Sequence, residues 1–467
     1  MLFSSISFIY YFLAAVLAVY FLVPFKFKNL VLLLASLGFY FYGEPIYTLL
    51  MLATTLSSYI HGLLIDRFRG KTLSKVFLWS SVATSLLTLG FFKYSDFFIH
   101  NVNNLLNTDM SLLGIALPIG ISFYTFQTMS YTVDVYRGEA KVQKSFIRLA
   151  TYVALFPQLI AGPIVRYTTV EEELSNRTHS FENFSYGVNR FIIGLSKKVL
   201  IADALGNLSR SLKGADEASV AGYWLYAIAI SLQLYFDFSG YSDMAIGLGR
   251  VFGFHFLENF NYPFISKSIG EFWRRWHISL GSWFKDYVYI PLGGNRVSIP
   301  KWLFNTFVVW FLTGFWHGAD WTFILWGLYF AIFLVLEKFL LNKFFAKLPK
   351  VFSHIYVVIV ILVSFVLFNA NGLAGAVADI GAMFGAGGLP FWSGETGYYL
   401  SGYALILIAA AVGATPLIKT AVLKLKEVKG IRFAINVLEP VLHVVLLLIV
   451  TAYFVDGSFS PFLYFRF

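Results

Sequence analysis

The segment GFWHGADWTFILWG, residues 314–327, places a histidine and an aspartate three positions apart in an apolar, aromatic run. The imidazole of His317 titrates near neutrality, so it can take a proton from an alcohol and return it. If the segment stays helical, Asp320 lies on the same face at i+3 and can hold the ring. The alternative is a buried structural histidine capped by Asp320, and the residues alone do not decide between the two.

A second histidine, His277, lies in the stretch ISKSIGEFWRRWHISLGSWFKDYVYIPLGGNR, residues 265–296. Guanidinium groups bind phosphate well, so the stretch predicts a cytoplasmic mouth for a phosphate-bearing donor such as coenzyme A. An amphipathic helix on anionic lipid is the alternative that composition favours, but it leaves His277 unexplained. The basic and aromatic residues of the stretch include Lys267, Trp273, Arg274, Arg275, Trp276, Trp283, Lys285 and Arg296.

A third polar cluster is LYFDFSGYSDMAIGLG, residues 234–249, where Asp237 and Asp243 lie in an apolar segment. We expect these carboxylates to pair with basic residues, although lining a pore is the alternative. The chain has no G-x-S-x-G nucleophile elbow, no phosphate-binding loop and no zinc-protease motif, which argues against a serine hydrolase or a pump ATPase. No metal site is predicted. It has no cysteine, which excludes thiol chemistry and disulfides.

Composition indicates the elements that hold these residues. The 467 residues are 58% hydrophobic and only 13% charged, whereas soluble domains carry about 25% charged residues. The chain is therefore predicted to be an all-α, multi-pass membrane protein with roughly ten to twelve transmembrane helices. Its net charge of +10 comes from basic loops between apolar runs, a pattern that indicates membrane topology and not nucleic-acid binding.

Charge distribution predicts the orientation. Basic loops at 67–75, 137–144 and 419–432 are expected in the cytoplasm, whereas residues 369–399 contain no Lys or Arg and are expected outside. Both termini are then extracytoplasmic, and the first apolar run is a retained helix because no basic residue precedes it. From a cytoplasmic Lys301, about 15 helical residues rise about 23 Å, which places His317 in the outer half of the membrane, where an ionisable residue suggests function.

Three central segments do not resemble simple spans: residues 146–165, 183–207 and 268–293 are broken by proline and glycine or mix apolar with basic residues. They predict re-entrant or interfacial helices around a cavity. We interpret the chain as one transmembrane domain. Its parts are N-terminal spanning helices at 1–136, a central core with the basic mouth at 137–300, and C-terminal helices with the His317 hairpin at 301–467.

Four motifs stand out: WHG at 316–318, FWRRWHISLGSWFKDYVYIPLGGNR at 272–296, SFYTFQTMSYTVDVYRG at 122–138 and FPQLIAGPIVRY at 156–167. Together they resemble the membrane-bound O-acyltransferase (MBOAT) family, and in particular its bacterial alginate O-acetyltransferase-type branch. The opening NLVLLLASLGFYFYGEP and the closing SPFLYFRF fit the same branch.

The resemblance implies a ring of helices with a central funnel in the bacterial cytoplasmic (inner) membrane. It implies His317 as the catalytic histidine, His277 as a second histidine with a supporting role, and no bound cofactor. The implied reaction moves acetyl groups from cytoplasmic acetyl-coenzyme A across the membrane to an extracytoplasmic polysaccharide, either an alginate-like exopolysaccharide or a cell-wall glycan. An extracytoplasmic SGNH-like partner protein is also implied. The candidate donor or tunnel residues are Trp316, Asp320, Arg274, Arg275, Trp276 and Lys285.

Other functions remain open at this point. The protein could be a D-alanyl or other acyltransferase of the same family, or a transporter or flippase of cell-envelope glycan precursors. The absence of a convincing internal repeat disfavours a transporter. Tyr464, near the C-terminus, could carry the acetyl group on its phenol, although an interfacial aromatic anchor is the simpler interpretation.

Overall fold

The computed structural model describes residues 3–160 and 162–457, and these residues form helices, turns and loops with no strand. This confirms the all-α prediction. A helix satisfies its own backbone hydrogen bonds, which suits a chain rich in apolar residues that enters a bilayer.

Five helices in the described residues are long and apolar enough to cross a membrane, and a sixth span is possible if a bent pair counts as one. The predicted count of ten to twelve is not confirmed. Some apolar runs form short helices, such as Gly372–Met383, and a run of apolar letters does not show where a helix breaks. The five are Pro45–Arg67, Thr72–Leu106, Trp321–Phe345, Lys350–Asn369 and Lys429–Val455; the bent pair is Gly394–Gly402 with Ala404–Gly413, at 59°.

The chain divides into two compact units. The first comprises Met1–Phe191 and Ser242–Leu257, and the second comprises Ile192–Tyr241 and Glu258–Phe467. Helices Phe181–Ser196 and Val220–Val251 contribute residues to both units. The other helices of the first unit are Ser7–Leu13, Ala14–Leu22, Phe25–Gly43, Pro45–Arg67, Thr72–Leu106, Ile121–Arg137, Phe146–Ala154, Phe156–Leu159 and Tyr167–Val170.

The second unit holds both candidate histidines. Its helices begin with Lys197–Ala202, a π-helical turn, and continue with Asp203–Lys213, Pro263–Ile265, Ile269–Arg275, Ile278–Phe284, Lys285–Tyr289, Ile299–His317, Trp321–Leu336, Glu337–Leu341, Asn342–Phe345, Lys350–Asn369, Gly372–Met383, Gly394–Gly402, Ala404–Gly413, Leu417–Leu425 and Lys429–Val455.

Two of the three central segments, 146–165 and 268–293, are broken as predicted, whereas residues 183–207 are helical throughout, across Phe181–Ser196, the π-helical Lys197–Ala202 and Asp203–Lys213. Residues 146–165 form helix Phe146–Ala154 and a four-residue helix, separated at Leu155, which has a non-helical ψ of 108°. Residues 268–293 form three short helices and not one span. Such breaks are tolerated at membrane depth only where other protein surrounds the backbone.

The core of the second unit is aromatic around the two histidines. Phe272 stacks on Trp276 with ring centroids 5.5 Å apart, and Phe365 lies 5.0 Å from Trp276. Trp326 and Phe330 are also fully buried here. Large rigid rings lose little rotamer entropy for the area they bury, so they fix the surrounding backbone.

Candidate functional site

His317 is the last residue of helix Ile299–His317 and is only 6% exposed. The chain leaves the helix at Gly318, whose backbone is extended. Asp320 then starts the next helix as its N-cap: its carboxylate accepts the Thr322 backbone N–H and hydroxyl, each at 2.8 Å. The expectation that Asp320 holds the His317 ring required a continuous helix through both residues, and that condition is not met.

Glycines explain how the two helices of this hairpin approach each other. A Cβ on Gly314 would lie 2.3 Å from the Phe323 carbonyl oxygen, and a Cβ on Gly327 would lie 2.2 Å from the Trp310 carbonyl oxygen. Small residues permit such close backbone contact between helices in membranes. The sequence pattern of glycines at 314, 318 and 327 therefore sets the position of His317.

Aromatic rings surround His317. The centroids of Trp316, Trp326 and Phe368 lie 5.1, 5.0 and 5.5 Å from the imidazole, all in edge-to-face arrangements. Such packing fixes the ring plane by shape and quadrupole interaction.

His277 is held in a different way. It is 1% exposed and precedes helix Ile278–Phe284 with a left-handed backbone, φ 45° and ψ 53°. Non-glycine residues in this conformation are uncommon and concentrate at functional sites. The Nδ1 atom of His277 lies 3.2 Å from the Asn259 side-chain oxygen, and the Nε2 atom is buried with no hydrogen-bond partner among the described residues.

The indole of Trp316 lies close to both histidines. The Trp316 ring centroid is 6.2 Å from His277 and 5.1 Å from His317. The two predicted histidines, 40 positions apart in sequence by their numbers, are therefore brought together around Trp316.

A cavity of about 370 Å³ adjoins His277, within the usual size range of small-molecule sites, about 300–1,000 Å³. Arg274 and Lys285 line it, and neither forms an ion pair or hydrogen bond in the described part of the chain. Two cations beside apolar walls suit a ligand with phosphate and apolar parts, although Arg274 also interacts electrostatically with Glu271 and Glu337. Other lining residues are Trp273, Leu280, Ser282, Trp310 and Thr313.

The remaining predicted donor residues do not line this cavity. Arg275 binds Glu271 at 3.0 Å and donates to the Asn261 carbonyl oxygen. Burial alone would raise the pKa of Glu271, but the Lys267 amide and Arg275 hold that pKa below its usual value. Trp276 is packed in the aromatic core, and His317 lies behind Trp316.

The third cluster behaves as predicted, because both aspartates pair with basic residues. Within the first unit, Asp243 binds Arg190 at 2.8 Å. Within the second unit, Asp237 binds the buried Lys198 at 2.8 Å, and Asp203 binds the same ammonium at 2.8 Å. Burial alone would lower the pKa of Lys198, but the two aspartates raise it above its usual value. These carboxylates are structural ion-pair partners.

Two residues that sequence reasoning missed help to build the site. Asn259 contacts His277, and Glu337 accepts the Ile269 and Gly270 backbone N–H groups at the start of the helix that carries Arg274. A carboxylate at a helix N-terminus satisfies otherwise unpaired donors. Neither has a local sequence signal, since the partners are 18 and 68 positions away.

The described residues contain no group of three or more acidic or histidine side chains placed to hold a metal ion. Tyr464, the candidate acetyl carrier, lies outside the described residues.

Membrane-length helices and two buried histidines, one of which lines a cationic cavity, are features expected of a membrane group-transfer enzyme. The chain belongs to the membrane-bound O-acyltransferase family, whose model matches residues 46–376. The resemblance found in the motifs is thereby confirmed, and the protein is a membrane acyltransferase.

Three relatives show the breadth of the similarity. The chain is 41% identical over 392 residues to the probable alginate O-acetylase of Azotobacter vinelandii, covering 83% of this chain and 79% of that protein. It is 34% identical over 427 residues to the peptidoglycan O-acetyltransferase of Helicobacter pylori, covering 83% and 81%. It is 32% identical over 265 residues to the teichoic acid D-alanyltransferase of Bacillus subtilis, covering 54% and 67%.

Proposed function

We propose that the protein transfers acetyl groups from cytoplasmic acetyl-coenzyme A to hydroxyl groups of an extracytoplasmic polysaccharide. The observation that carries this proposal is the cavity that His277 lines together with two exposed cations, Arg274 and Lys285. Two relatives support the acetyl group and the polymer, because they are named an alginate O-acetylase and a peptidoglycan O-acetyltransferase.

The donor enters the cavity by its phosphate-bearing part. Arg274 and Lys285 are exposed at this cavity, and their charges attract phosphate oxygens and neutralise them on binding. The apolar walls at Trp273 and Leu280 then receive the arm that carries the thioester. His277 positions that arm or the tetrahedral intermediate.

His317 acts as the general base on the acceptor. The acceptor O–H bond breaks as its proton moves to the imidazole, and the oxygen forms a bond to the thioester carbon. The carbon–sulfur bond then breaks, and the thiolate of coenzyme A takes the proton back from the imidazolium. Because His317 does not line the donor cavity, the acyl end of the donor must pass the edge of Trp316 to reach it.

The membrane context completes the proposal. The protein lies in the bacterial cytoplasmic (inner) membrane with both termini outside, as a ring of helices with a central funnel. The acceptor approaches His317 from outside, and an extracytoplasmic SGNH-like partner completes transfer to the polymer, either an alginate-like exopolysaccharide or a cell-wall glycan. The apolar helices of membrane length and the alternation of basic loops support this placement.

The test is acyl transfer by the purified protein in lipid nanodiscs, together with the proposed SGNH-like partner, labelled acetyl-coenzyme A and oligosaccharide acceptors. We expect acceptor-dependent release of free coenzyme A and label on the acceptor, both lost in the His317→Ala variant. Neither release nor labelling with any acceptor, in a protein that remains folded, would overturn the acetyl-transfer proposal.

D-alanyl transfer is the second candidate, favoured by the similarity to the teichoic acid D-alanyltransferase of Bacillus subtilis. Thermal unfolding separates the two, because a ligand that binds only the folded state raises the melting temperature. We expect acetyl-coenzyme A to protect the protein and a D-alanyl thioester on a carrier protein not to do so. The opposite pattern would favour D-alanyl transfer.

A further inference from the structure

We propose that Asn259 is a positioning residue for His277: it holds the imidazole in a single tautomer, with Nδ1 protonated and Nε2 left as the hydrogen-bond acceptor at the donor cavity. The consequence for acyl transfer rests on the function proposed above, whereas the tautomer itself follows from the geometry.

The side-chain oxygen of Asn259 must be an acceptor. The backbone N–H of Ser279 lies 3.2 Å from it, and the Ser279 hydroxyl donates to it at 2.9 Å. A backbone N–H can only donate, so the atom that meets it is the amide oxygen and not the amide nitrogen.

The tautomer of His277 follows from this assignment. Its Nδ1 atom lies 3.2 Å from the same oxygen. Because that oxygen can only accept a hydrogen bond, Nδ1 must carry the proton and donate it. In a neutral imidazole the other nitrogen then carries the lone pair. That nitrogen, Nε2, has no hydrogen-bond partner in the described part of the chain, so it is available to an N–H or O–H group of a ligand.

The main chain of Asn259 also stabilises the turn at His277. The Ile278 N–H donates to the Asn259 carbonyl oxygen at 3.0 Å, directly after the left-handed residue His277. Two residues later, the Asn261 N–H donates to the Arg275 carbonyl oxygen at 2.9 Å. A strained conformation persists only where the surroundings over-determine it, and Asn259 contributes both a main-chain and a side-chain restraint.

The surroundings of His277 keep the ring neutral. Burial lowers the pKa of His277 to about 3. The charged groups on the cavity wall are Arg274 and Lys285, the helix Ile299–His317 presents Trp316 with His317 behind it, and the helix Val220–Val251 presents the uncharged Phe238 at 4.7 Å.

The first experiment reads the tautomer directly, without any activity. Protein labelled with ¹⁵N-histidine is studied by solid-state NMR in lipid vesicles, and the His277 signals are those lost in the His277→Gln variant. We expect the Nδ1–H tautomer in the unaltered protein at pH 6, and the same tautomer in the Ser279→Ala control, which keeps the Asn259 contact. Asn259→Leu should give a changed tautomer or a mixture. An Nε2–H tautomer or an imidazolium in the unaltered protein would overturn the inference.

The Asn259→Asp variant gives a second, graded readout. A carboxylate next to Nδ1 favours the charged ring and raises the pKa of His277, by about 1–3 units for a close opposite charge. Nε2 is then protonated as the pH falls through the raised value, so this variant should lose activity at a higher pH than the unaltered protein does. The NMR signals should titrate over the same pH range. An acid limb identical to that of the unaltered protein would contradict the role of position 259.

A double-mutant cycle separates positioning from simple support of the turn. Asn259→Leu should lower kcat on its own, yet have no further effect in the His277→Gln background, because its role passes through that ring. An additional loss in that background would mean that Asn259 acts only on the fold. If the unaltered protein shows no acetyl transfer at all, the proposed function fails while the NMR result still decides the tautomer.

Discussion

His317 ends a long helix that is packed by glycine contacts, whereas His277 begins a short helix at a strained turn that is held by hydrogen bonds to one side chain. The first position depends on how two helix backbones meet, and many atoms share in that contact. In the described part of the chain, the side chains that contact Nδ1 of the second histidine are Asn259 at 3.2 Å and, at a longer 3.5 Å, Ser279. The packed helix end therefore fixes the position of His317, whereas the hydrogen-bonded turn fixes the tautomer of His277.

The comparison predicts that substitutions of the two histidines affect acetyl transfer differently. The largest loss of rate is expected at His317. His317→Ala should lower acetyl transfer by about 10²–10⁴-fold, the usual contribution of a general base, while the protein still accumulates in the membrane. Initial rates at saturating donor measure this.

The control is His354→Ala, which removes a partly buried imidazole that contacts the Ser266 carbonyl oxygen. Its rate should stay close to that of the unaltered protein. Equal rates for the His317 and His354 variants would mean that His317 is a structural histidine.

The next largest effect is expected on stability, at the glycine contacts between helices Ile299–His317 and Trp321–Leu336. Gly314→Ala places a methyl group against the Phe323 carbonyl oxygen, and overpacking of this kind costs about 1–3 kcal/mol. Gly90→Ala is the matched control, because Gly90 is also within a helix and has nothing within 4 Å of the added carbon. Thermal unfolding of the purified proteins should show a lower melting temperature for Gly314→Ala only. Identical melting temperatures would show that the helices can separate without cost.

Adjacent arginines allow the cationic cavity to be tested with a close control. Arg274→Gln removes an exposed charge from the cavity, so the KM for the acetyl donor should rise about tenfold, which corresponds to about 1.4 kcal/mol, and less at high salt. Arg275→Gln removes a guanidinium that already binds Glu271, and its KM should change little. A larger rise in the Arg275 variant would move the donor site away from this cavity.

The sequence predicted what depends on local pattern. The helix that leads to His317, the breaks in two central segments and the pairing of Asp237 and Asp243 all follow from apolar runs, prolines and isolated charges. The sequence could not distinguish Arg274 from Arg275, because neighbouring helix residues point about 100° apart and only the packed helix shows which one faces the cavity.

Contacts between positions far apart in the chain could not be predicted from the sequence, for a physical reason. Asn259 and His277 are 18 positions apart, and Ile269 and Glu337 are 68 apart. No periodicity links such positions, because they lie in different segments that come together only in the packed structure. The predicted number of spans is not confirmed either, since apolar composition marks segments that can enter a membrane but not where each helix begins and ends.

Substitutions of Asp320 are expected to have the smallest effect. They distinguish two roles that the sequence left open, which are helix N-cap and partner of His317. As an N-cap that binds the Thr322 N–H, it can be replaced by asparagine, which caps equally well, whereas Asp320→Ala should cost about 1 kcal/mol of stability. If Asp320 instead oriented a protonated His317, Asp320→Asn would remove the charge that stabilises the imidazolium and would lower kcat strongly. We expect Asp320→Asn to retain both melting temperature and kcat, and Asp320→Ala to lose melting temperature first. If Asp320→Asn keeps the melting temperature but loses kcat, the Asp320 carboxylate is a partner of His317 after all.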